Sequence, residues 1–350
     1  MSSCLIHVHY PMHDAFPLRM CGTPPLSWDA LSEPETHFDA GACFRLDLEK
    51  PVDFKVRLGE HWSLGRNYRV EQEGDYHIYP HFFRDKPVVD VYPDLVSFKG
   101  APLPIEVFYP PSYTENPLKR YPVIYAQDGQ NLFDTPTPTT DVHWHLDSIT
   151  QELMQIGLCK EAIIVGIHHR GVDRIFDYTP FADPHHGGGG ALDYVRFLVD
   201  EVKPLIDGRL RTRPEPANTA VMGSSLGGLF AFYAGRRFPD TFGKVAALST
   251  SFQWAGRRNF RDVKRGTNFA PIKLYLDAGT VGDEMESYDL MQEMVRELLF
   301  DGFRLGQDLY ALTGVGDDHS EKSWSHRVHY PLIFLFPWEP LRRRSPDSCG

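Results

Sequence analysis

The chain has 350 residues, 42% of them hydrophobic and 24% charged, with a formal net charge of −11. That composition belongs to an ordinary globular protein long enough for two domains. The acidic balance argues against nucleic acid as a partner, because a polyanion needs clustered Lys and Arg to displace its counterions. Five cysteines (Cys4, Cys21, Cys43, Cys159, Cys349) are scattered, odd in number and without a C-x-x-C pair. They suggest neither a disulfide framework nor a zinc site and fit a reduced, cytoplasmic setting.

In chain order, the N-terminus lacks a basic region followed by an apolar core, so no signal peptide is expected. Short alternating runs follow, such as Phe44-Arg-Leu-Asp-Leu48 and Phe54-Lys-Val-Arg-Leu58, punctuated by Gly and Pro. Period-two alternation predicts half-buried antiparallel strands, and residues 1–98 are expected to form a small all-β sandwich domain.

From residue 99 to about 340 the pattern becomes α/β. Apolar runs at Pro122–Ala126, Ala162–Ile167, Thr219–Met222, Lys244–Leu248, Ile272–Leu276 and Asp308–Leu312 alternate with amphipathic stretches. Strands this apolar are covered on both faces, and helical crossovers make them parallel: a doubly wound, mostly parallel sheet. The Gly187–Gly190 run follows no strand and carries no Lys-Ser/Thr, so it predicts a flexible loop before a helix at Asp193–Leu205, not a phosphate loop. A second helix is expected over Tyr288–Phe300, with its methionines in the core. The apolar stretch Tyr330–Trp338 is broken by Pro331 and Pro337 and falls far short of the ~20 residues that span a bilayer, so no membrane partner is expected. Residues 341–350, with Arg342-Arg343-Arg344, read as a polar tail.

The chemistry centres on Gly223-Ser224-Ser225-Leu226-Gly227, between the run Thr219–Met222 and a helix-like stretch to Arg237. Glycines there permit a cramped strand-to-helix turn that lifts Ser225 clear of the sheet as a candidate nucleophile. A serine hydroxyl needs a base, and the base needs a carboxylate to hold its tautomer. Chain order Ser, acid, His then points to His319 after the strand Asp308–Leu312, with His326 and His329 lying beyond Trp324 in a helix. Asp283 is the first choice of acid and Glu284 the alternative; Asp277 is still within its strand, where it orders the loop. Leu226 N–H and Gln130 N–H, the latter in the loop Asp128–Phe133, are the candidate oxyanion donors. Sixteen histidines include no H-E-x-x-H and no matched Cys/His set, so neither metal nor cofactor is expected.

Several ordered motifs carry a family resemblance: Tyr125-Ala-Gln-Asp-Gly-Gln-Asn-Leu-Phe133, Trp144-His-Leu-Asp147, Arg174 with Asp177-Tyr-Thr-Pro180, Gly223–Gly228, Leu276-Asp-Ala-Gly279 and His319-Ser-Glu-Lys-Ser-Trp324. Over about residues 100–338 the chain resembles the esterase D-like ("Putative esterase") branch of the α/β-hydrolases, which includes feruloyl, acetyl-xylan and siderophore esterases, S-formylglutathione hydrolases and mycolyltransferases. The resemblance implies Ser225 as nucleophile, His319 as base, and Gln130 and Leu226 as oxyanion donors. Asp128, Asn131, Trp144, Arg174 and Trp324 are candidate substrate-binding residues. The family's acid follows the Gly-Thr by one residue fewer than Asp283 does, which leaves Asp283 and Glu284 both open. More faintly, the N-terminal segment is similar to starch- or glycogen-binding β-sandwich modules, in which exposed tryptophans stack on sugars; here Trp28 and Trp62 are expected to fill the sandwich core instead. The expected function is a serine carboxylesterase acting on a small-molecule or glycan ester: an acylated carbohydrate, an aryl ester or a siderophore-type ester. Acyl transfer at the same site, or a non-catalytic carbohydrate-binding protein with a vestigial hydrolase domain, are the alternatives, and a homodimer is compatible with either.

Overall fold

A computed structural model describes residues 2–11, 16–134, 142–264 and 272–341. Beyond Leu341, the expected polar tail lies outside them.

Two small sheets form the N-terminal region. One orders the strands Thr36–Phe38, Gly41–Leu48, Ser2–His9 and Gly74–Ile78; the other pairs Val52–Leu58 with Leu18–Gly22, His61–Trp62 and Tyr68–Val70. Alternation explains why they stack: Val52, Phe54, Val56 and Leu58 are buried while the residues between them are half-exposed. With Ile6, Val8, Met20 and Phe44 they make a single core between the sheets. The strands are not all antiparallel as expected, since Ser2–His9 runs parallel to Gly74–Ile78. Nor do the tryptophans fill the core. Trp28 and Trp62 are 40% and 41% exposed and lie beside each other on the surface.

An eight-stranded sheet follows, in the order Val88–Phe98, Ala101–Tyr109, Ile163–Ile167, Val123–Gln127, Thr219–Ser224, Lys244–Leu248, Lys273–Gly279 and Leu309–Gly314. Its first two pairings are antiparallel and the rest parallel. The inner strands are apolar because both faces are covered, whereas the edge strand Val88–Phe98 is largely exposed and carries Asp90 and Asp94. Val123, Tyr125, Val221 and Val245 belong to one helix-covered core, whereas Ile124, Ala220, Met222 and Ala246 belong to the other. This is the α/β-hydrolase architecture, preceded by an all-β region. Parallel strands with crossovers place all their carboxyl ends at one edge of the sheet, where ligands bind in open α/β folds.

The helix expected at Asp193–Leu205 starts at Ala191 and continues through a π turn at Leu198–Val202 to Arg209. Gly187–Gly188 pairs with Ala182–Asp183 in a short hairpin, so part of the glycine run is a strand rather than a loop. The helix expected at Tyr288–Phe300 begins four residues earlier, at Glu284. Among the described residues no helix is long and apolar enough to cross a membrane.

Buried polar groups tie the two regions together. Glu115 accepts hydrogen bonds from the Phe82, Phe83 and Arg84 amides and from the Tyr10 hydroxyl, and Asn116 Nδ2 donates to His9 O and Pro80 O. Close by, Glu161 accepts from Ser112 N and Oγ and pairs with Lys119. Burial alone would raise the Glu161 pKa, but Lys119, His81 and the Ser112 hydroxyl outweigh it and hold the carboxyl down at about 2. A depressed folded-state pKa stabilises the fold above the unfolded value and stops doing so as pH falls through the folded one. Urea unfolding of Glu161→Gln should therefore show a destabilised protein at neutral pH, with the gap to wild type closing as pH drops from 4.5 towards about 2. A gap independent of pH would show that this carboxylate's charge is not what matters.

Candidate active site

The turn after Thr219–Ser224 holds Ser225 at φ 56°, ψ −121°, a conformation side chains rarely adopt, and the helix Leu226–Arg237 starts at the next residue. Only glycine fits on either side. A Cβ on Gly223 would lie 2.5 Å from Gly227 O, and one on Gly228 would lie 2.7 Å from Leu248 O. Ser225 N donates to Leu248 O at 3.0 Å, which anchors the elbow to the neighbouring strand. Ser225 is partly exposed, and its Oγ is 3.4 Å from Ser251 Oγ.

His319 arrives on the loop after Leu309–Gly314, and its Nε2 is 2.9 Å from Ser225 Oγ. Its Nδ1 is hydrogen-bonded to Glu284 Oε1. An ionised carboxylate can only accept, so Nδ1 carries the proton and Nε2 is left to accept from the serine. Glu284 is fully buried, and its Oε2 accepts from Gly279 N at 2.7 Å. Burial would push its pKa up, yet the hydrogen bonds from His319, Gly279 N–H and Ser249 hold it below the usual glutamate value. The carboxyl is thus ionised at neutral pH.

Asp283, the first-choice acid, is displaced from this position. It is exposed at the start of the helix Glu284–Phe300, with its side chain in solvent. Thr280 N and Val281 N are both bound by Asp317 O, and Gly282 turns at φ 63°, so the loop delivers the next residue inward. The inward-facing position of this loop is therefore 284, one residue past Asp283.

Leu226 occupies the first position of its helix, where an N–H has no intrahelical acceptor. Gln130 lies in the turn Gly129–Asn131 that follows Val123–Gln127, the strand beside the elbow strand. The two loops touch: a Cβ on Gly227 would be 3.1 Å from Asp128 Oδ2. Of the candidate substrate contacts, most are committed within the protein. Arg174 grips the buried Asp128 with two hydrogen bonds, Nε to Oδ1 at 2.7 Å and Nη2 to Oδ2 at 2.8 Å. Asn131 Nδ2 reaches Glu321 Oε1 at 3.3 Å. Trp144 and Trp324 are 2% and 6% exposed and pack on each other, which places them in the core rather than in a binding cleft. Trp324 also stands edge-on to the His319 ring, 5.1 Å between centroids.

A buried polar layer lies behind this site. Asp277 accepts from Ser249 N, Tyr275 Oη and Arg327, and Arg327 also pairs with Asp317. The Leu276-Asp-Ala-Gly279 segment was visible, but nothing local linked Asp277 to an arginine fifty residues away. Among the described residues no group of three or more His, Cys, Asp or Glu side chains is placed to hold a metal ion.

Residues 99–325, well over half of the chain, match the family model described as Putative esterase. The chain belongs to the Putative esterase family. Within it, the chain is 27% identical over 191 residues to the siderophore enterobactin esterase of Emericella nidulans, covering 48% of this chain and 59% of that protein. It is 27% identical over 228 residues to the ferri-bacillibactin esterase of Bacillus subtilis, covering 58% of this chain and 74% of the relative. The first of these alignments therefore spans little more than half of its relative's length. An IroE-like serine hydrolase of Shewanella oneidensis superposes with a TM-score of 0.57 at 24% identity, covering 70% of this chain and 79% of that one, a likeness of fold.

In this Putative esterase family member the pair Asp128–Arg174 braces the loop beside the elbow. Asp128 is itself held at φ 57°. Removing one partner of such a pair strands the other's charge, so Arg174→Met should cost about 3 kcal/mol of unfolding free energy. Guanidinium titration checks this; a variant as stable as wild type would mean that Asp128 finds adequate solvation without Arg174.

Proposed function

We propose that this protein is a serine carboxylesterase in which Ser225, His319 and Glu284 act as nucleophile, base and acid. The reading rests on one observation: Nε2 of His319 lies 2.9 Å from Ser225 Oγ while the buried Glu284 holds the opposite ring nitrogen. Ser225 Oγ attacks the ester carbonyl carbon as its proton passes to His319 Nε2. The carbonyl π electrons move to oxygen, which the Leu226 and Gln130 amides receive. Collapse breaks the bond to the alcohol, which leaves with the proton from His319. Water then repeats the sequence on the acyl-serine and regenerates Ser225. An alcohol in place of that water would give acyl transfer.

For substrate we favour a siderophore-type ester, the class named for the Emericella nidulans relative, over other aryl esters or acylated sugars. Comparing turnover of a tricatecholate siderophore ester, a feruloyl ester and an acetylated xylan tests that order.

A fluorophosphonate should label the wild-type protein once, at Ser225, and Ser225→Ala should not react. Glu284→Gln should reduce kcat by ~10³–10⁴, because an amide no longer enforces the productive tautomer. Asp283→Asn should stay within about twofold of wild type, as surface changes do. Loss of activity in Asp283→Asn with Glu284→Gln unaffected would reverse the assignment of the acid, and no labelling at all would remove the esterase reading.

A second reading concerns the N-terminal β region as a sugar-binding module, which is shorter than the expected 1–98 because Val88–Phe98 joins the eight-stranded sheet. Here the exposed pair Trp28 and Trp62, with ring centroids 6.4 Å apart and Arg57 over the Trp62 ring, supports a surface on which sugar rings stack. Affinity electrophoresis through soluble starch, glycogen or xylan should retard the wild-type protein, and Trp62→Ala should migrate freely while hydrolysing p-nitrophenyl acetate normally. Equal mobility with and without every polysaccharide would sink this reading.

A further inference from the structure

A cavity of about 600 Å³ lies between the N-terminal β region and the segment 338–340. That is the size of a small-molecule site. Asp53 and Lys55 enter it from the strand Val52–Leu58, whose alternate side chains are buried in the sandwich core. Arg66, Asn67 and Arg69 enter it from the next stretch of chain, and Trp338 and Pro340 supply apolar surface. Its walls are fixed in place. Leu341 N donates to Arg69 O at 2.9 Å, Glu339 pairs with Lys160 at 2.8 Å, and the Arg66 guanidinium lies 4.3 Å from the centre of the Trp338 ring.

Charge in this cavity does not balance. Arg69 is spent on the two carboxylates that line it, donating from Nη1 to Asp53 and from Nε to Glu71. Lys55 and Arg66 remain, and among the described residues neither has a carboxylate within ion-pair distance. Lys55 Nζ donates instead to two backbone carbonyls, Ser63 O at 2.7 Å and Gly65 O at 2.9 Å, and has a third hydrogen to give. Gly65 immediately precedes Arg66, so the two cations meet at one stretch of backbone. Arg66 donates a long bond to Gly157 O at 3.4 Å and keeps most of its five donors. Burial lowers the pKa of the Lys55 ammonium, as expected of a cation taken from water without an anion in exchange. Carboxylates are plentiful in a chain of net charge −11, yet these two cations are kept clear of them.

We propose that this cavity binds a small anionic molecule, with Lys55 and Arg66 receiving its carboxylate or phosphate group and Trp338 packing against a ring in its body. A bare ion would leave most of the volume and the Trp338 surface unused. None of the triad residues lines the cavity, so the proposal stands apart from the esterase reading. It also differs from sugar stacking on Trp28 and Trp62, because recognition here is by charge.

Isothermal titration calorimetry of the full chain with inorganic phosphate, benzoate, glucose 6-phosphate and glucose tests it. Benzoate or glucose 6-phosphate should bind more tightly than inorganic phosphate, glucose should not bind, and affinity should fall as chloride screens the cations. Binding of benzoate would identify a carboxylate ligand and binding of glucose 6-phosphate a phosphate ester. Arg66→Gln and Lys55→Gln should each weaken the anion about tenfold, in line with a lost charge-assisted hydrogen bond. Lys55 also holds the Ser63 and Gly65 carbonyls, whereas Arg66→Gln leaves those bonds in place, so the Arg66 variant carries the comparison. The proposal is overturned by the absence of heat from every anion at millimolar concentration, or by glucose binding as tightly as glucose 6-phosphate. Inorganic phosphate binding as tightly as the ring-bearing anions, or wild-type affinity in Arg66→Gln, would overturn it equally.

Discussion

The constraint on which the rest of this molecule turns is the backbone of Ser225. Holding a non-glycine residue at φ 56°, ψ −121° costs on the order of 1–3 kcal/mol, and it persists only because both sides are fixed. The preceding strand is paired with neighbours on either side, and the following helix packs back on the same sheet. Relaxing the turn would withdraw the serine into the sheet and pull Leu226 away from the helix start. The strain is confined to one residue, and that residue carries the hydroxyl.

Parallel register then sets what can meet that hydroxyl. Leu248 pairs with Asp277, and Ala278 with Thr313, so successive strands finish at nearly the same height. Each strand end sends out a loop with one component: Gln130, Ser225, Ser249, Glu284 and His319 follow five different strands. None of these residues is near another in sequence. Their convergence is a property of the sheet, and a one-residue change in a single loop, such as the one before Glu284, changes which side chain faces inward.

That dependence explains what could be read from the sequence. Runs such as Val123–Gln127 and Thr219–Ser224 announce themselves because strands covered on both faces have no polar residues to interrupt them. The elbow is equally local, since the six consecutive residues Gly223–Gly228 contain both its steric requirement and its nucleophile, and His319 follows from strand order. Asp283 against Glu284 was not legible, because the difference lies in how Asp317 O grips Thr280 and Val281 from another strand end. The same holds for Arg174, whose charge seemed available for a ligand until its fork was found on Asp128. Trp28 and Trp62 were misplaced for a related reason: large aromatic residues in a small sandwich are ordinarily core, and nothing in their immediate neighbours marks a surface position.

The distribution of charge behind the site gives a reason why Glu284 rather than Asp277 faces the imidazole. Asp277 is as fully buried as Glu284 but is satisfied by Arg327, a permanent cation, so burial raises its pKa and the arginine offsets that only in part. A carboxylate already neutralised by a guanidinium has little field left for a second cation. Glu284 is held by neutral donors, which keep it ionised without cancelling its charge. When the histidine takes the serine proton, the imidazolium therefore meets an uncompensated anion in a setting where water is scarce and Coulombic attraction is strong. Arg327 serves this arrangement by pairing with Asp277 and Asp317 instead: a direct Arg327–Glu284 pair would tie the acid down more firmly and leave the base with a partner unable to stabilise it.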